Sequence, residues 1–156
     1  MCVNCQHCEM VSGGYVCQNE ENKNTVLTKM KDAHEIAAKE AGVTAFCYYH
    51  YWFGKGKMML DMPLRQMLKN EKIDLPFCLC WANEAWTNAW VSSKNKVLIE
   101  QNYGSEQEWK EHFEYLLPFF KDKRYIRVDG KPLMVIYRPE LIECLNDMLD
   151  YLQRLA

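Results

Sequence analysis

Leu75-Pro76-Phe77-Cys78-Leu79-Cys80-Trp81-Ala82-Asn83-Glu84-Ala85-Trp86-Thr87-Asn88-Ala89-Trp90 changes character within itself. Leu75 to Trp81 is an apolar run of strand length. From Trp81 onward, ten positions hold three tryptophans, two asparagines and a glutamate, too polar for a core and too aromatic for a solvated loop. Indole faces pack on the C–H faces of a sugar, and a few placed amides and carboxylates grip its hydroxyls. The run therefore predicts a buried strand whose carboxyl end opens into a sugar cleft.

Upstream, Asn24 or Thr25 caps a helix with Val26, Met30, Ala33, Ala37 and Ala41 on one stripe, stopped by Gly42. Val43 to Tyr49 is β-branched and aromatic and predicts a first strand, leading into His50-Tyr51-Trp52-Phe53 and the basic turn Gly54 to Lys57. Asp61 and Pro63 open a short helix to about Lys69. Downstream, Val97 to Glu100 reads as a brief extended piece, and Ser105-x-x-Glu108 is a capping box for a helix with Trp109, Phe113, Leu116, Leu117 and Phe120 on one face. Asp129-Gly130 predicts a type I′ hairpin turn between Tyr125–Val128 and Leu133–Tyr137, the latter also reading as a third buried strand. A last helix is predicted from Pro139, with Leu141, Leu145, Met148, Leu149 and Leu152 in register. Alternating strands and helices predict an α/β fold with a parallel sheet.

The polar and aromatic residues collect just after each strand: His50, Tyr51 and Trp52, then Asn83, Glu84 and Trp86, then Arg138. In parallel α/β folds the carboxyl ends of the strands form the ligand face. Each residue has a plainer reading beside this one. The tryptophans serve equally as packing indoles, His50 as a satisfied structural histidine, and Glu84 as a helix cap or a partner for Arg138. Lys55 and Lys57 fit a solvated loop.

A length of 156 residues is enough for one domain with a real core, and 49% hydrophobic with 26% charged residues is the balance of a soluble globular protein. A net charge of −2 with mixed signs gives no electrostatic case for nucleic acid or an anionic membrane. No apolar run approaches the roughly 20 residues that span a bilayer. No basic and apolar leader follows Met1, so a cytoplasmic address is the expectation. Among eight cysteines, Cys47, Cys78, Cys80 and Cys144 fall in apolar runs, where a reduced thiol behaves as a small hydrophobe. Cys2, Cys5, Cys8 and Cys17, spaced around Gly13-Gly14, have the look of a metal knuckle and predict a structural zinc, with disulfides or free thiols as alternatives.

Gly42 to Phe53, Leu75 to Glu84, and Arg124-Tyr125-Ile126 through Asp129-Gly130-Lys131-Pro132 to Tyr137-Arg138-Pro139 resemble signature segments of the WbsX proteins, also called glycoside hydrolase family 99-like. The resemblance runs from about Thr25 to the end of the sequence. It implies a TIM-barrel-like (β/α)8 fold acting on glycans, in polysaccharide or lipopolysaccharide biosynthesis, by hydrolysis or glycosyl transfer and with no catalytic metal. The chain then divides into a Cys-rich knuckle over 1–23 and a partial barrel over 24–156. On this view Glu84 is the candidate catalytic carboxylate, and His50, Tyr51, Trp52, Trp81, Asn83, Glu84, Trp86, Tyr137 and Arg138 contact the glycan.

Three departures shape the expectation. The family often has Asn-Glu-Asn-Trp-Thr-Arg where this chain has Asn83-Glu84-Ala85-Trp86-Thr87-Asn88, so an amide and a guanidinium are lost. The family's first strand, with its Pro-Gln-Tyr/Phe-His segment, has no counterpart, and neither does its Asn-Glu-Trp-x-Glu catalytic segment. A whole barrel takes about 250 residues, and glycoside hydrolysis generally uses two flanking carboxylates. The expectation is thus an incomplete barrel with one wall of the cleft. A non-catalytic glycan-binding module and a zinc-knuckle interaction protein stand as alternatives, and a homo-oligomer is a further expectation because three strands leave open sheet edges.

Overall fold

A computed structural model gives the fold and describes residues 8–11, 14–17, 36–88 and 96–156, with side chains described from residue 36 onward. The order is β1 (Cys8–Val11), β2 (Gly14–Cys17), α1 (described over 36–40), β3 (Phe46–Trp52), β4 (Met58–Met59), α2 (Met62–Lys69), β5 (Phe77–Trp81), β6 (Trp86–Thr87), β7 (Val97–Ile99), α3 (Glu106–Phe120), β8 (Arg127–Val128), β9 (Lys131–Pro132), β10 (Met134–Ile136), a 3-10 turn (Pro139–Leu141) and α4 (Leu145–Leu155).

The mixed α/β organisation is present, and its centre is a parallel trio in the spatial order β10-β5-β3, with β4 added antiparallel at the β3 edge. Each successive parallel strand lies beside the one before it, with α2 and then α3 in the connections. The central strand, Phe77-Cys78-Leu79-Cys80-Trp81, is buried at every position, as its unbroken apolar run requires.

The two faces of the sheet differ. On β3 the even positions turn toward the helices and the odd positions away, so Phe46, Tyr48, His50 and Trp52 are better covered than Cys47 and Tyr49. Under the helices, Leu64 and Met67 of α2, Phe77 and Leu79 of β5, Leu116, Phe119 and Phe120 of α3, and Tyr125 form one core. Trp52, Trp81, Trp109, Ile142 and Met148 form a second beneath α3 and α4. Opposite the helices, Tyr49, Val135 and Tyr137 stay exposed.

Several local expectations shift. The first strand runs to Trp52, past the predicted end at Tyr49, because the chain reverses only at Gly54, Lys55 and Gly56, all at positive φ. A side-chain carbon on Gly54 would lie 2.8 Å from the Asn102 carbonyl oxygen, so glycine is needed there. Asp129 and Gly130 both take positive φ, as a type I′ turn demands, but the hairpin they close is β8–β9, while β10 leaves it to pair with β5. Pro139 starts a 3-10 turn, and the last helix begins afresh at Leu145. The capping box forms: the Ser105 N–H donates to Glu108 Oε2 at 3.1 Å. Arg124 fastens the end of α2 and the turn after it, donating to the Met67, Leu68, Asn70 and Ile73 carbonyls while paired with Asp122 at 2.7 Å. Among the described residues no helix is long and apolar enough to cross a membrane.

Candidate functional site

At the carboxyl ends of β3, β5 and β10 the ladder continues one step into the loops. The Ala82 N–H donates to the His50 carbonyl and the Tyr137 N–H to the Trp81 carbonyl, both at 3.0 Å. Those bonds fix where Glu84 and Arg138 begin. The β6–β7 arm folds back beside them, tied to the end of β3 by Asn102 N–H to the Phe53 carbonyl at 3.0 Å and by Gln101 Nε2 to the Trp52 carbonyl at 3.0 Å.

Between arm and sheet, on the face away from the helices, lies a cleft of about 620 Å³ lined by Tyr49, Tyr51, Glu84, Trp86, Leu98 and Tyr137, among others. Its rings meet edge to face: Tyr49 and Tyr137 at 5.9 Å and 89°, Tyr51 and Trp86 at 5.3 Å and 74°. Phe53 braces Trp86 from behind at 5.5 Å and 82°. The rings that line the cleft therefore hold one another in place.

The charged group at the mouth is a triad. Arg138 Nη1 donates to Glu84 Oε1 at 2.7 Å, and its Nε to Glu140 Oε1. The Glu140 hydrogen bond raises the Arg138 guanidinium above its ordinary value, and the same bond lowers the Glu140 carboxyl. Glu84 and Arg138 remain about two-fifths exposed, so solvent reaches both. An ion-paired carboxylate is an acceptor, suited to holding a hydroxyl; general-acid work asks for a carboxyl kept protonated by burial.

Asn83 turns its side-chain amide to the backbone of Arg138. It is fully buried; its Nδ2 donates to the Arg138 carbonyl at 2.7 Å and its Oδ1 accepts from the Arg138 N–H at 2.8 Å. One side-chain amide thus reads both polar groups of Arg138. The Tyr103 hydroxyl donates to the Asn83 carbonyl at 2.9 Å and locks the turn from the other side.

Of the residues read from the sequence as glycan contacts, Tyr51, Glu84, Trp86 and Tyr137 line the cleft, Arg138 stands behind Glu84, and Asn83 supports Arg138. His50, Trp52 and Trp81 do not join them: the structure turns all three under the helices. His50 Nε2 lies 2.7 Å from His112 Nε2, His112 stacks on Trp52 at 4.8 Å and 5°, and the Trp81 indole N–H donates to the Trp52 carbonyl at 2.9 Å. Burial drives both imidazoles toward the neutral form, His50 to about 4 and His112 well below its ordinary value. The physical reason is strand parity. With β3 running to Trp52, residues 50 and 52 share one face and residue 51 the other. The same parity places Tyr49 in the cleft, a lining residue that sequence position alone puts inside the strand. Glu140 was also missed; its position two residues after Arg138 was the available signal.

Of the knuckle cysteines, Cys2 and Cys5 lie outside the described residues. Cys8 and Cys17 stand opposite each other in the β1–β2 backbone pairing. Trp90 also lies outside the described residues.

The model of a family described as glycosyltransferase WbsX matches residues 20–156. Two relatives, both described as uncharacterized protein WxcX and from two strains of Xanthomonas campestris pv. campestris (B100 and ATCC 33913), are 40% identical over 105 residues. That stretch covers 67% of this chain and 15% of each relative. No solved structure matches the chain.

Proposed function

The chain belongs to the WbsX glycosyltransferase family, and from that premise we propose that its cleft holds a glycan, as part of hydrolysis or glycosyl transfer in polysaccharide metabolism. The observation that carries the reading is the cleft itself: four interlocked aromatic rings around one carboxylate, at the carboxyl ends of three parallel strands. Tyr49, Tyr51, Trp86 and Tyr137 pack on sugar C–H faces. Glu84, oriented by Arg138, accepts hydrogen bonds from hydroxyls. The parallel strands lying in chain order, with helices on one side and an open face on the other, support a (β/α)8 wall as the setting.

Within this proposal Glu84 is a binding group first. Its ion pair with Arg138 and its exposure favour hydrogen-bond acceptance, and a base or nucleophile role needs a second carboxylate across the sugar. The spacing of Cys2, Cys5, Cys8 and Cys17 carries a separate proposal of a structural zinc, tested by elemental analysis of protein purified without added metal.

Titration of intrinsic tryptophan emission with α-mannan oligosaccharides and with oligosaccharides released from lipopolysaccharide tests the glycan reading. A saturable change that Trp86→Ala abolishes supports it. A folded chain whose emission answers to neither set would count against a glycan in this cleft.

A further inference from the structure

The face of the sheet that carries the cleft also carries three sulfurs below it. Cys47 on β3 stands directly opposite Cys78 on β5 in the parallel register, and Cys80 follows two residues along the same strand and points to the same side. The Cys47 side chain therefore leaves β3 beside that of Cys78, with Cys80 next along the same face. All three are free thiols, Cys47 exposed and the other two buried. A lone buried cysteine is a small hydrophobe, but an exposed one with two thiols at its side is arranged for sulfur chemistry. Neighbouring strands run about 4.8 Å apart, inside the roughly 4.4–6.8 Å between Cα atoms that a disulfide spans.

We infer that Cys47, Cys78 and Cys80 form a peroxide-reactive thiol site, in which Cys47 is oxidised and Cys78 closes a disulfide between β3 and β5. This assignment is independent of the glycan reading. Cys47 is the sulfur that solvent and a small oxidant reach. Burial pushes the Cys78 thiol up to about 11 and raises Cys80 as well, so both keep their protons and stand beside Cys47 as S–H donors. The Cys47 sulfur attacks hydrogen peroxide, the O–O bond breaks, and a sulfenic acid and one water result. The Cys78 sulfur then attacks the Cys47 sulfur, the S–O bond breaks, and the hydroxyl leaves as a second water with the Cys78 proton. Two electrons leave the sulfur pair, and one peroxide becomes two waters. Cys80, one step farther along, remains a donor.

The test uses the full chain, treated with hydrogen peroxide, blocked with N-ethylmaleimide, digested without reductant and read by mass spectrometry. The expected result is a loss of about two reactive thiols per chain on this face and a cross-linked peptide pair whose fragment ions place the bond between Cys47 and Cys78. Dithiothreitol should remove it. Cys78→Ala should leave Cys47 as a sulfenic acid that dimedone labels several-fold more than in the unaltered chain. Cys80→Ala should keep the cross-link, so the assignment stays testable if Cys78→Ala misfolds. Cys47 advancing to the sulfinic acid with no bond to Cys78, or linking instead to Cys80 or to an N-terminal cysteine, would overturn it.

Discussion

Replacing Asn83 tests the architecture of the cleft mouth at one side chain. Asn83→Ala removes both a donor and an acceptor from the part-buried Arg138 peptide groups, whose partners sit at 2.7 and 2.8 Å. Each hydrogen bond contributes about 1 kcal/mol net, and each group left buried without a partner costs about 1–3 kcal/mol, so the expected loss is roughly 2–4 kcal/mol after partial rehydration. For a chain of this size that lowers the melting temperature by about 5–15 °C. Asn83→Asp separates the two bonds. It keeps an acceptor for the Arg138 N–H but sets oxygen against the Arg138 carbonyl, and it buries a charge. The introduced carboxyl should therefore have a raised folded-state pKa. Protonated, it can donate to the carbonyl, so the variant holds its best relative stability below about pH 4 and loses it as pH rises. Urea unfolding of the unaltered chain and both variants at several pH values between 4 and 7 measures this. A loss under about 1 kcal/mol for Asn83→Ala, together with a pH profile of Asn83→Asp parallel to that of the unaltered chain, would refute the clamp.

Trp86→Ala should weaken glycan binding by at least about tenfold, ~1.4 kcal/mol, with little change in stability because the ring is half-buried; calorimetric titration beside a melting curve separates the two. The buried imidazole pair should make stability fall with acid. His50 is held near 4 against an unfolded value of 6.5, so the unfolded chain binds more protons between those limits, and acidification through that window costs on the order of 3 kcal/mol for His50 alone. Replacing both His50 and His112 with Phe should flatten this part of the unfolding profile; an unchanged slope would count against the pair as its source. Gly104→Ala should cost more than about 2 kcal/mol, since φ there is +70° and the new carbon would meet Glu108 Cβ at 2.7 Å. Gly56→Ala, at a similar φ in open space, should cost about 1 kcal/mol, and a reversed order in chemical denaturation would refute the steric argument.

Much of the framework could be read in the sequence because it depends on local rules. The unbroken apolar run Leu75–Trp81 gave a central strand, Ser105 and Glu108 gave the start of α3, and Asp129-Gly130 gave a turn with two positive φ angles. The cleft was partly legible. Glu84, Trp86 and Tyr137 follow strands, and sequence position alone brings them to the carboxyl ends. What failed was parity. His50, Tyr51 and Trp52 are neighbours in the chain, yet a continuing strand sends alternate residues to opposite faces, and only the length of β3 decides where that alternation stops. The Asn83 clamp was hidden for another reason. An amide after a strand looks the same whether it meets a sugar or a peptide group 55 positions away.

The one-sided covering of β3 assigns alternate residues to different physical tasks. Along Phe46 to Trp52, a library of single substitutions sorted for folded protein should show intolerance at 46, 48, 50 and 52 and latitude at 47, 49 and 51. The same library sorted for ligand capture should put its losses at 49 and 51. The strand would read as two interleaved scripts of period two. Cleft variants could then be combined with changes that strengthen the helix-side packing, provided that they do not touch the same neighbours.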